Sequence, residues 1–514
     1  MTCVAMQRNI GKSPRKGRIG KRGRRLMKVC SNCSAVRCSR REFLNLTVGA
    51  FVTASLSRSG AAVPANFDLP KHAPVKIFCV FAGRTGHWYL TRPAEEIPKF
   101  HKFFAELERK LKSVHGTVKF IGDAQIPPAN PAEVAQRLRE VADALVIVHL
   151  SGHGGETPVL TKLVEIGLPT IVFSQPFSGH GWMYFPQWRK AGHKVVLVAS
   201  SDWGDLEKAI ALVRAPVWMK RTRIIAVGRP HGTAEACSPE KVKEKLGAEL
   251  VIVPNERVLK LMSEVEWKDA EREAEEYWIR PAKAIVEPKR EEIIQSARMF
   301  LAVKRLMAEE RAQAICSIYC MGDPRGCLTF SKLNDMGYVG ACEGDIDSTL
   351  TMLIFAYAFG VPGFISDPVI DVARNAMIHF HCTSATKMDG PDGKRLPFRI
   401  RSQTDSGAGV SLEVEHRVGQ SVTCAKLVHL DKMLFVTGKI LWTSRDPLAC
   451  RTQFAQSVPD ARSLFLRWGE DAIQGDIMTL LHRVVFYGDY SQQLKDLASL
   501  MGFKLIEEGR GEVM

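Results

Sequence analysis

Residues 131–174 read PAEVAQRLREVADALVIVHLSGHGGETPVLTKLVEIGLPTIVFS and give the clearest indication of the fold class. Apolar residues recur at helical spacing over 131–142 and again over 157–166. Each of these segments is followed by a short, continuous apolar run, at 144–150 and at 170–173. Such runs, bounded by turn residues, are typical of strands buried on both faces. Alternating helices and buried strands predict a parallel sheet with helices on both of its faces.

The same alternation extends in both directions from this stretch. Further predicted strands lie at 75–81, 118–121, 195–199, 223–227, 249–253 and 314–319, and further predicted helices at 97–114, 239–246, 256–274 and 291–310. From about residue 376, short β-rich runs separated by glycine and aspartate predict an antiparallel sheet or a small barrel. We therefore predict an α/β protein with two Rossmann-like, doubly wound domains, at 66–222 and 223–370, and a β-rich C-terminal domain at 371–514.

The positive charge of the chain is concentrated at its N-terminus. Residues 1–65 hold 14 lysines and arginines and a single acid, Glu42, so residues 66–514 carry only +3 of the formal net charge of +16. A body this close to neutral gives no argument for a nucleic-acid partner. The sequence therefore predicts no binding to DNA or RNA.

The basic segment has the pattern of an export signal. Residues 39–44, SRREFL, form a twin-arginine motif, which is followed by a moderately apolar stretch at 44–56 and a Val-Pro-Ala cleavage-type site at 63–65. The apolar stretch is shorter than the roughly 20 residues that span a bilayer as a helix. We predict that residues 1–65 are a twin-arginine leader and that the mature protein works outside the cytoplasmic membrane without being inserted in it. The alternative is a basic tail without a targeting function, which leaves the protein in the cytoplasm. Translation could also begin at Met27.

Candidate chemistry is concentrated at 341–382, ACEGDIDSTLTMLIFAYAFGVPGFISDPVIDVARNAMIHFHC. Glu343 precedes a long apolar run, Asp367 follows it, and His379 and His381 come next. Carboxylates and imidazoles are ligands of divalent cations that keep open positions, such as Mn²⁺ or Mg²⁺. Each group also has a structural interpretation. Acids at the start of a helix can cap it, Asp367 before a proline resembles an N-cap, and a histidine can simply be buried with satisfied hydrogen bonds.

The combination of these signals resembles a known family. Residues 340–345 (GACEGD), Asp367 and residues 482–489 (HRVVFYGD) are similar to the L-fucose/L-arabinose isomerase family, and most of all to its shorter, fucose-isomerase-like members. The resemblance runs from about residue 76 to the C-terminus and implies two Rossmann-like domains followed by a β-rich domain. It also implies a divalent cation, usually Mn²⁺, that is held by Glu343, Asp367 and His482. His381 matches a further ligand of arabinose-isomerase-like members. The family often has two adjacent histidines near position 482, whereas this chain has one.

The resemblance implies a metal-dependent aldose–ketose isomerase that acts on L-fucose- or arabinose-type sugars through an enediol. Glu343 and Asp367 would then act as base and acid while they also bind the metal. Family members are oligomers, so a trimer or hexamer is expected, and their N-terminal domains help to close a neighbouring subunit's pocket. His180 and Trp182, which follow a predicted strand, are therefore candidate sugar contacts; the alternative is that they only pack or cap.

Two other functions are compatible with parts of the sequence. An exported, non-catalytic sugar-binding protein would also suit two Rossmann-like lobes, and it predicts sugar affinity that does not depend on metal. A nicotinamide-dependent oxidoreductase is disfavoured because residues 83–87, GRTGH, do not supply the G-x-G-x-x-G fingerprint. The loop at 151–155, SGHGG, could bind a ligand or form a plain turn.

Overall fold

A computed structural model describes residues 67–85, 90–152, 154–317, 325–404, 406–469 and 477–512. These residues belong to one compact unit, Pro64–Met514. The predicted leader lies outside the described residues, so the export signal stays a prediction. In the part of the chain that is described, no helix is both long and apolar enough to cross a membrane.

The described strands and helices follow one another in the order of the predicted alternation. The strands are β1 (Val75–Ala82), β2 (Val118–Ile126), β3 (Ala144–His149), β4 (Thr170–Ser174), β5 (Val195–Ala199), β6 (Arg223–Val227), β7 (Glu249–Val253), β8 (Ala314–Ser317), β9 (Val339–Ala341), β10 (Phe364–Asp371), β11 (Ala376–His381), β12 (Phe398–Arg401), β13 (Ser411–Val414), β14 (Ser421–Val428), β15 (Lys432–Thr443), β16 (Thr452–Ser457), β17 (Arg483–Tyr487), β18 (Lys504–Glu507) and β19 (Gly511–Glu512). The α-helices are α1 (Pro93–Lys110), α2 (Pro131–Val141), α3 (Thr157–Val164), α4 (Phe185–Lys190), α5 (Trp203–Leu212), α6 (Arg214–Met219), α7 (Pro239–Leu246), α8 (Asn255–Ser263), α9 (Trp267–Ala274), α10 (Arg290–Glu309), α11 (Cys327–Asp335), α12 (Ile346–Phe359), α13 (Ala461–Leu466), α14 (Ile477–Leu481) and α15 (Ser491–Met501).

The first sheet is parallel and has the strand order β2-β1-β3-β4-β5. Every residue of β3 and β4 is buried, as their continuous apolar sequences predict for strands covered on both faces. The helix α2 begins where Asn130 accepts a hydrogen bond from the backbone N–H of Ala132 and Pro131 occupies the first helical turn. The chain order reverses between β1 and β3, and such a point in a parallel sheet places the loops that follow both strands around a crevice.

The second sheet is also parallel, with the order β7-β6-β8-β9. The helix α12 follows β9 and packs against β8, α6, β14 and β17. Almost every residue in this helix is buried, which accounts for its mostly apolar sequence. The two parallel sheets confirm the prediction of a mixed α/β fold. The Rossmann-like assignment and the boundaries at 222 and 370 stay predictions.

The C-terminal strands form a mainly antiparallel sheet, as predicted, in the order β14-β17-β10-β11-β16-β15-β18-β19. Because β15 pairs with β16 and also with β14, six of these strands close into a small barrel. The separate pair β12–β13 lies outside this ring. The barrel contributes β10, β11 and β17 to the site described below.

The interpretation of Asp367 as the N-cap of a helix is wrong, because Asp367 and Pro368 lie within β10. The strand β17 pairs with β10 only as far as Ser366, and beyond that residue β10 pairs with β11 alone. A proline is tolerated in a strand that has an unpaired edge, because its missing N–H costs no ladder hydrogen bond there.

Candidate metal centre

Glu343 is presented by a tight loop between β9 and α12. Its backbone has a φ of +57°, and the following Gly344 has a φ of +69°. A left-handed conformation is uncommon for a residue with a side chain, and such residues concentrate at functional sites. The backbone N–H of His231 donates to the Gly344 carbonyl at 2.9 Å, and the N–H of Ile346 donates to the His231 carbonyl at 2.9 Å. The loop after β6 therefore fixes the loop that carries Glu343.

The barrel strands bring Asp367 and the two histidines beside this loop. Ser366 on β10 lies opposite Arg483 on β17, so the adjacent residues Asp367 and His482 are neighbours across the two strands. Asp367 also pairs with Phe380 on β11, which places His381 at the end of that strand on the same edge. Register in the barrel therefore explains why residues more than 100 positions apart in the sequence meet.

The four predicted metal ligands converge in space. The Nε2 atom of His482 lies 3.3 Å from Oε2 of Glu343 and 3.3 Å from Oδ1 of Asp367. The Nε2 atom of His381 lies 3.9 Å from Oε1 of Glu343 and 4.0 Å from Oδ2 of Asp367. One ligand atom each from Asp367, His381 and His482 fall within 4.8 Å of one another. The structure thus brings together the four residues that the family resemblance implies as metal ligands.

Three buried polar atoms at this point have no hydrogen-bond partner among the described residues. They are Oδ1 of Asp367, Nε2 of His381 and Nε2 of His482. The 3.3 Å contacts of His482 are ion-pair distances without hydrogen-bond geometry. Buried polar atoms are rarely left unpaired, because the loss of their hydration is costly. Carboxylate oxygens and an imidazole nitrogen that face a common point fit a divalent cation such as Mn²⁺.

A buried ion-pair network lies behind His482. Oδ2 of Asp345 is 3.0 Å from Nδ1 of His482 and accepts a hydrogen bond from Nζ of Lys426 at 2.7 Å. All three side chains are fully buried. Asp345 also caps α12, since its Oδ1 accepts a hydrogen bond from the backbone N–H of Ser348 at 2.9 Å. A carboxylate behind a histidine is the usual support of a metal-binding imidazole, because it fixes the hydrogen on the inner nitrogen.

The sequence interpretation missed the roles of Asp345 and Lys426. The sequence indicates Asp345 only as one residue of the motif at 340–345. Lys426 was not considered, although a lysine within the apolar strand sequence SVTCAKLV is unusual. Since a lysine is rarely fully buried unless it is paired, that position was a usable signal of a buried carboxylate.

The charges of the site are strongly coupled. Burial favours a raised pKa for the Glu343 carboxyl, but the adjacent imidazoles of His482 and His381 outweigh it and lower the pKa to about 2. Burial favours a lowered pKa for His482, yet the carboxylates of Asp345, Asp367 and Glu343 raise that pKa well above its ordinary value. The carboxylates therefore favour a positive charge at this point, which a divalent cation beside a neutral His482 would also supply.

His379, by contrast, has a structural role. Its Nδ1 atom lies 2.7 Å from Oγ of Ser366, and its Nε2 atom lies 3.1 Å from Oε1 of Gln456. The ring is fully buried, and burial lowers its pKa to about 3. Both nitrogens thus have partners inside the barrel, so the satisfied-histidine interpretation holds for this residue.

The two candidate sugar contacts lie at the carboxyl edge of the first sheet. The backbone N–H of His180 donates to the Gly152 carbonyl at 3.1 Å, and this contact joins the loop at 151–155 to the loop after β4. Trp182 lies on the 3-10 helix Gly181–Tyr184 and is 45% exposed. Neither residue belongs to the groups of potential metal ligands found in the described chain. Their contact with a sugar stays a prediction.

Comparisons with known proteins give one partial similarity. No family model matches the chain. Over 98 residues it is 30% identical to the sulfoquinovose isomerase of Clostridium sp. (strain MSTE9), a stretch that covers 19% of this chain and 19% of that protein. The chain is thus matched over about a fifth of the relative's length. The comparison links part of the chain to a sugar isomerase.

Proposed function

We propose that this protein is a metal-dependent aldose–ketose isomerase. The observation that carries the proposal is the convergence of Glu343, Asp367 and His482, whose facing atoms include two buried ones without a hydrogen-bond partner in the described chain. The partial similarity to sulfoquinovose isomerase and the resemblance to fucose-isomerase-like proteins both point to the same reaction class. An oligomer with the N-terminal domain near a neighbour's site is part of this proposal.

Glu343, Asp367 and His482 would hold the cation, with Mn²⁺ as the first choice. When bound, such a cation polarises the sugar carbonyl and neutralises negative charge that develops on the neighbouring oxygens. Glu343, Asp367 and His482 are thus both a ligand set and the wall of the substrate site.

The chain's own carboxylates move the protons of the reaction. Conversion of an aldose into a ketose removes a proton from C2 and returns one to C1, while a hydroxyl proton shifts between the two oxygens, so no external oxidant or reductant is needed. Glu343 and Asp367 reach the same atom of His482 from two different elements, so both can reach one reacting centre. With its pKa lowered to about 2, Glu343 is ionised at neutral pH and available as the proton acceptor. Asp367 would transfer the hydroxyl proton between the two sugar oxygens.

The two resemblances support a choice of substrate class. L-fucose and the arabinoses are six- and five-carbon aldoses, and the relative's name adds sulfoquinovose, a sugar that carries a sulfonate group. All of them present an aldehyde next to a hydroxyl-bearing carbon, which is what the proposed proton transfer requires. We propose an aldose of one of these kinds.

The test uses the full-length chain, stripped of metal and then given Mn²⁺. It is incubated with L-fucose, L-arabinose, D-arabinose and sulfoquinovose, and ketose formation is measured directly. We expect ketose from at least one sugar only in the presence of metal, and a loss of roughly 10²- to 10⁴-fold in rate in Glu343→Gln, since general acid–base catalysis contributes about that much.

Glu156→Gln is the matched control. Glu156 is a buried glutamate directly before α3, where it pairs with Arg84 at 3.4 Å. This variant should keep the wild-type rate. Sugar binding that is indifferent to metal, with no ketose from any of the four sugars, would instead support a non-catalytic sugar-binding protein.

A further inference from the structure

A hydrogen bond at Nδ1 of His381 fixes the position of the hydrogen on the imidazole ring. The backbone N–H of Cys382 donates to Nδ1 of His381 at 2.8 Å. A backbone amide can only donate, so Nδ1 must accept and carries no hydrogen. The Cys382 thiol also lies 3.4 Å from the same nitrogen. A neutral imidazole has one N–H, which must therefore be on Nε2.

This Nε2–H faces the candidate metal centre without a hydrogen-bond partner in the described chain. It lies 3.9 Å from Glu343 and 4.0 Å from Asp367, which is too far for a hydrogen bond to either. His381 is 2% exposed, so the unpaired N–H is shielded from bulk water. Such a group is costly to bury unless another molecule supplies an acceptor.

His482 has the opposite arrangement. Its Nδ1 atom lies 3.0 Å from Oδ2 of Asp345, and an ionised carboxylate can only accept. In neutral His482 the hydrogen is therefore on Nδ1, and Nε2 presents its lone pair to the centre. Metal coordination requires that lone pair. The spacing of ligand atoms alone would admit both histidines as ligands, but the hydrogen positions separate them.

We infer that His381 donates a hydrogen bond from Nε2 to an oxygen of the bound sugar and does not coordinate the metal. The inference rests on the proposed isomerase function. Glu343, Asp367 and His482 would hold the cation and leave open positions for sugar oxygens. A fixed N–H at the rim of that set can donate to a sugar oxygen on which negative charge develops, and it is a catalytic residue in this sense.

The decisive measurement counts the imidazoles on the metal. The full-length chain is produced with ¹⁵N-labelled histidine and loaded with Mn²⁺, and the electron spin echo modulation of the ion is recorded. We expect coupling to one histidine nitrogen in the wild-type protein, and loss of that coupling in His482→Gln. Coupling to two histidine nitrogens in the wild type would overturn the inference. The count in the wild-type protein needs neither turnover nor a variant.

Variants of His381 provide the second measurement. We expect His381→Leu to bind Mn²⁺ with wild-type affinity and to lose roughly 10²- to 10³-fold in kcat, as removal of one oxyanion donor does. His381→Gln keeps an N–H donor, so its kcat should lie between those of His381→Leu and the wild type. A His381→Leu protein that binds Mn²⁺ as weakly as His482→Gln, or one that retains full kcat, would contradict the inference.

Failure of the inference and failure of the proposed function have different signatures. Two coordinated imidazoles together with metal-dependent ketose formation would remove the role of His381 and leave the isomerase intact. One coordinated imidazole without ketose from any sugar would support the hydrogen position at His381 but remove the proposed function, and the donor role with it. A chain that binds no Mn²⁺ would overturn both.

Discussion

Two regions of this molecule bury a histidine at the end of a β-strand, with opposite results. His149 ends β3 at the carboxyl edge of the first sheet, and neither of its ring nitrogens has a hydrogen-bond partner in the described chain. Burial lowers its pKa to about 4. His482 precedes β17 and is buried as deeply, yet the carboxylates of Asp345, Asp367 and Glu343 raise its pKa well above the ordinary value.

The difference shows what converts a buried imidazole into a candidate cation site. A ring at a strand end is neutral when apolar surroundings dominate, because burial disfavours the charged form. At the metal centre, the loop after β9 supplies Glu343 and Asp345, and the barrel strand β10 supplies Asp367. The first sheet supplies no such group of ligands in the chain as described. Convergence of two sheets, and not burial or strand position, distinguishes the two regions.

The largest expected effect comes from removing the carboxylate charge that distinguishes the surroundings of His482 from those of His149. We predict that Asp345→Asn lowers Mn²⁺ affinity about 10- to 100-fold, the usual cost of losing the carboxylate behind a metal-binding histidine. Asparagine can still cap α12, so the helix should keep its start. Mn²⁺ titration followed by isothermal calorimetry measures the change.

Asp202→Asn provides the matched control for this prediction. Asp202 caps α5 beside the first sheet, where its Oδ1 atom accepts a hydrogen bond from the backbone N–H of Gly204 at 2.7 Å. It belongs to no group of potential ligands in the described residues. Its variant should bind Mn²⁺ as the wild type does. Equal losses in both variants would show that helix capping, and not the support of His482, sets the affinity.

A smaller effect is expected at His149 when the pH falls. Because its folded pKa of about 4 lies below the ordinary 6.5, the unfolded chain takes up a proton before the folded chain does. The stability that neutral His149 contributes is complete above pH 6.5 and is lost as the pH falls from 6.5 towards 4. At pH 5.5 the loss amounts to about 1.4 kcal/mol for such a shift.

The measurement compares urea unfolding of the wild type and His149→Gln at pH 7 and pH 5.5. The drop in unfolding free energy between the two pH values should be smaller in the variant by about 1.2 kcal/mol, whatever the variant's stability at pH 7, because a small part of the loss has already occurred at pH 7. An identical drop in both proteins would mean that His149 is already charged or hydrated in the folded state, and the contrast with His482 would then fail.

Much of the fold could be predicted because local patterns determine it. The buried strand at 144–150 and the helix at 239–246 match β3 and α7 closely, since an apolar run and a Ser238 cap are local signals. The strand β10 was misinterpreted because Ser-Asp-Pro is a helix-start signal in most settings. Only the end of its pairing with β17 at Ser366, a long-range property, makes a proline acceptable there.

At the candidate site, too, some features could be predicted from the sequence and others depend on tertiary structure. Glu343, Asp367, His381 and His482 were singled out by residue type and by resemblance, and their convergence depends on barrel register that no local pattern reveals. The positive φ of Glu343 and the ion pair of Asp345 with Lys426 are likewise products of tertiary structure. The hydrogen position on His381 depends on a backbone contact from Cys382, which no sequence pattern indicates.

The smallest effect tests whether the edge of the first sheet contributes to sugar binding at all. Trp182 is 45% exposed, so an aromatic face is available to a ligand. If it contacts the sugar, Trp182→Ala should cost roughly 0.5–1.5 kcal/mol, an increase in KM of about 2- to 10-fold, because an aromatic contact is worth about that much. Mn²⁺ affinity should not change, since the metal ligands lie on other elements.

Trp267→Ala is the control, because Trp267 is 39% exposed at the start of α9 and should leave KM unaltered. A KM that is unchanged in Trp182→Ala would confine sugar recognition to the region around the metal centre and sharpen the contrast between the two regions.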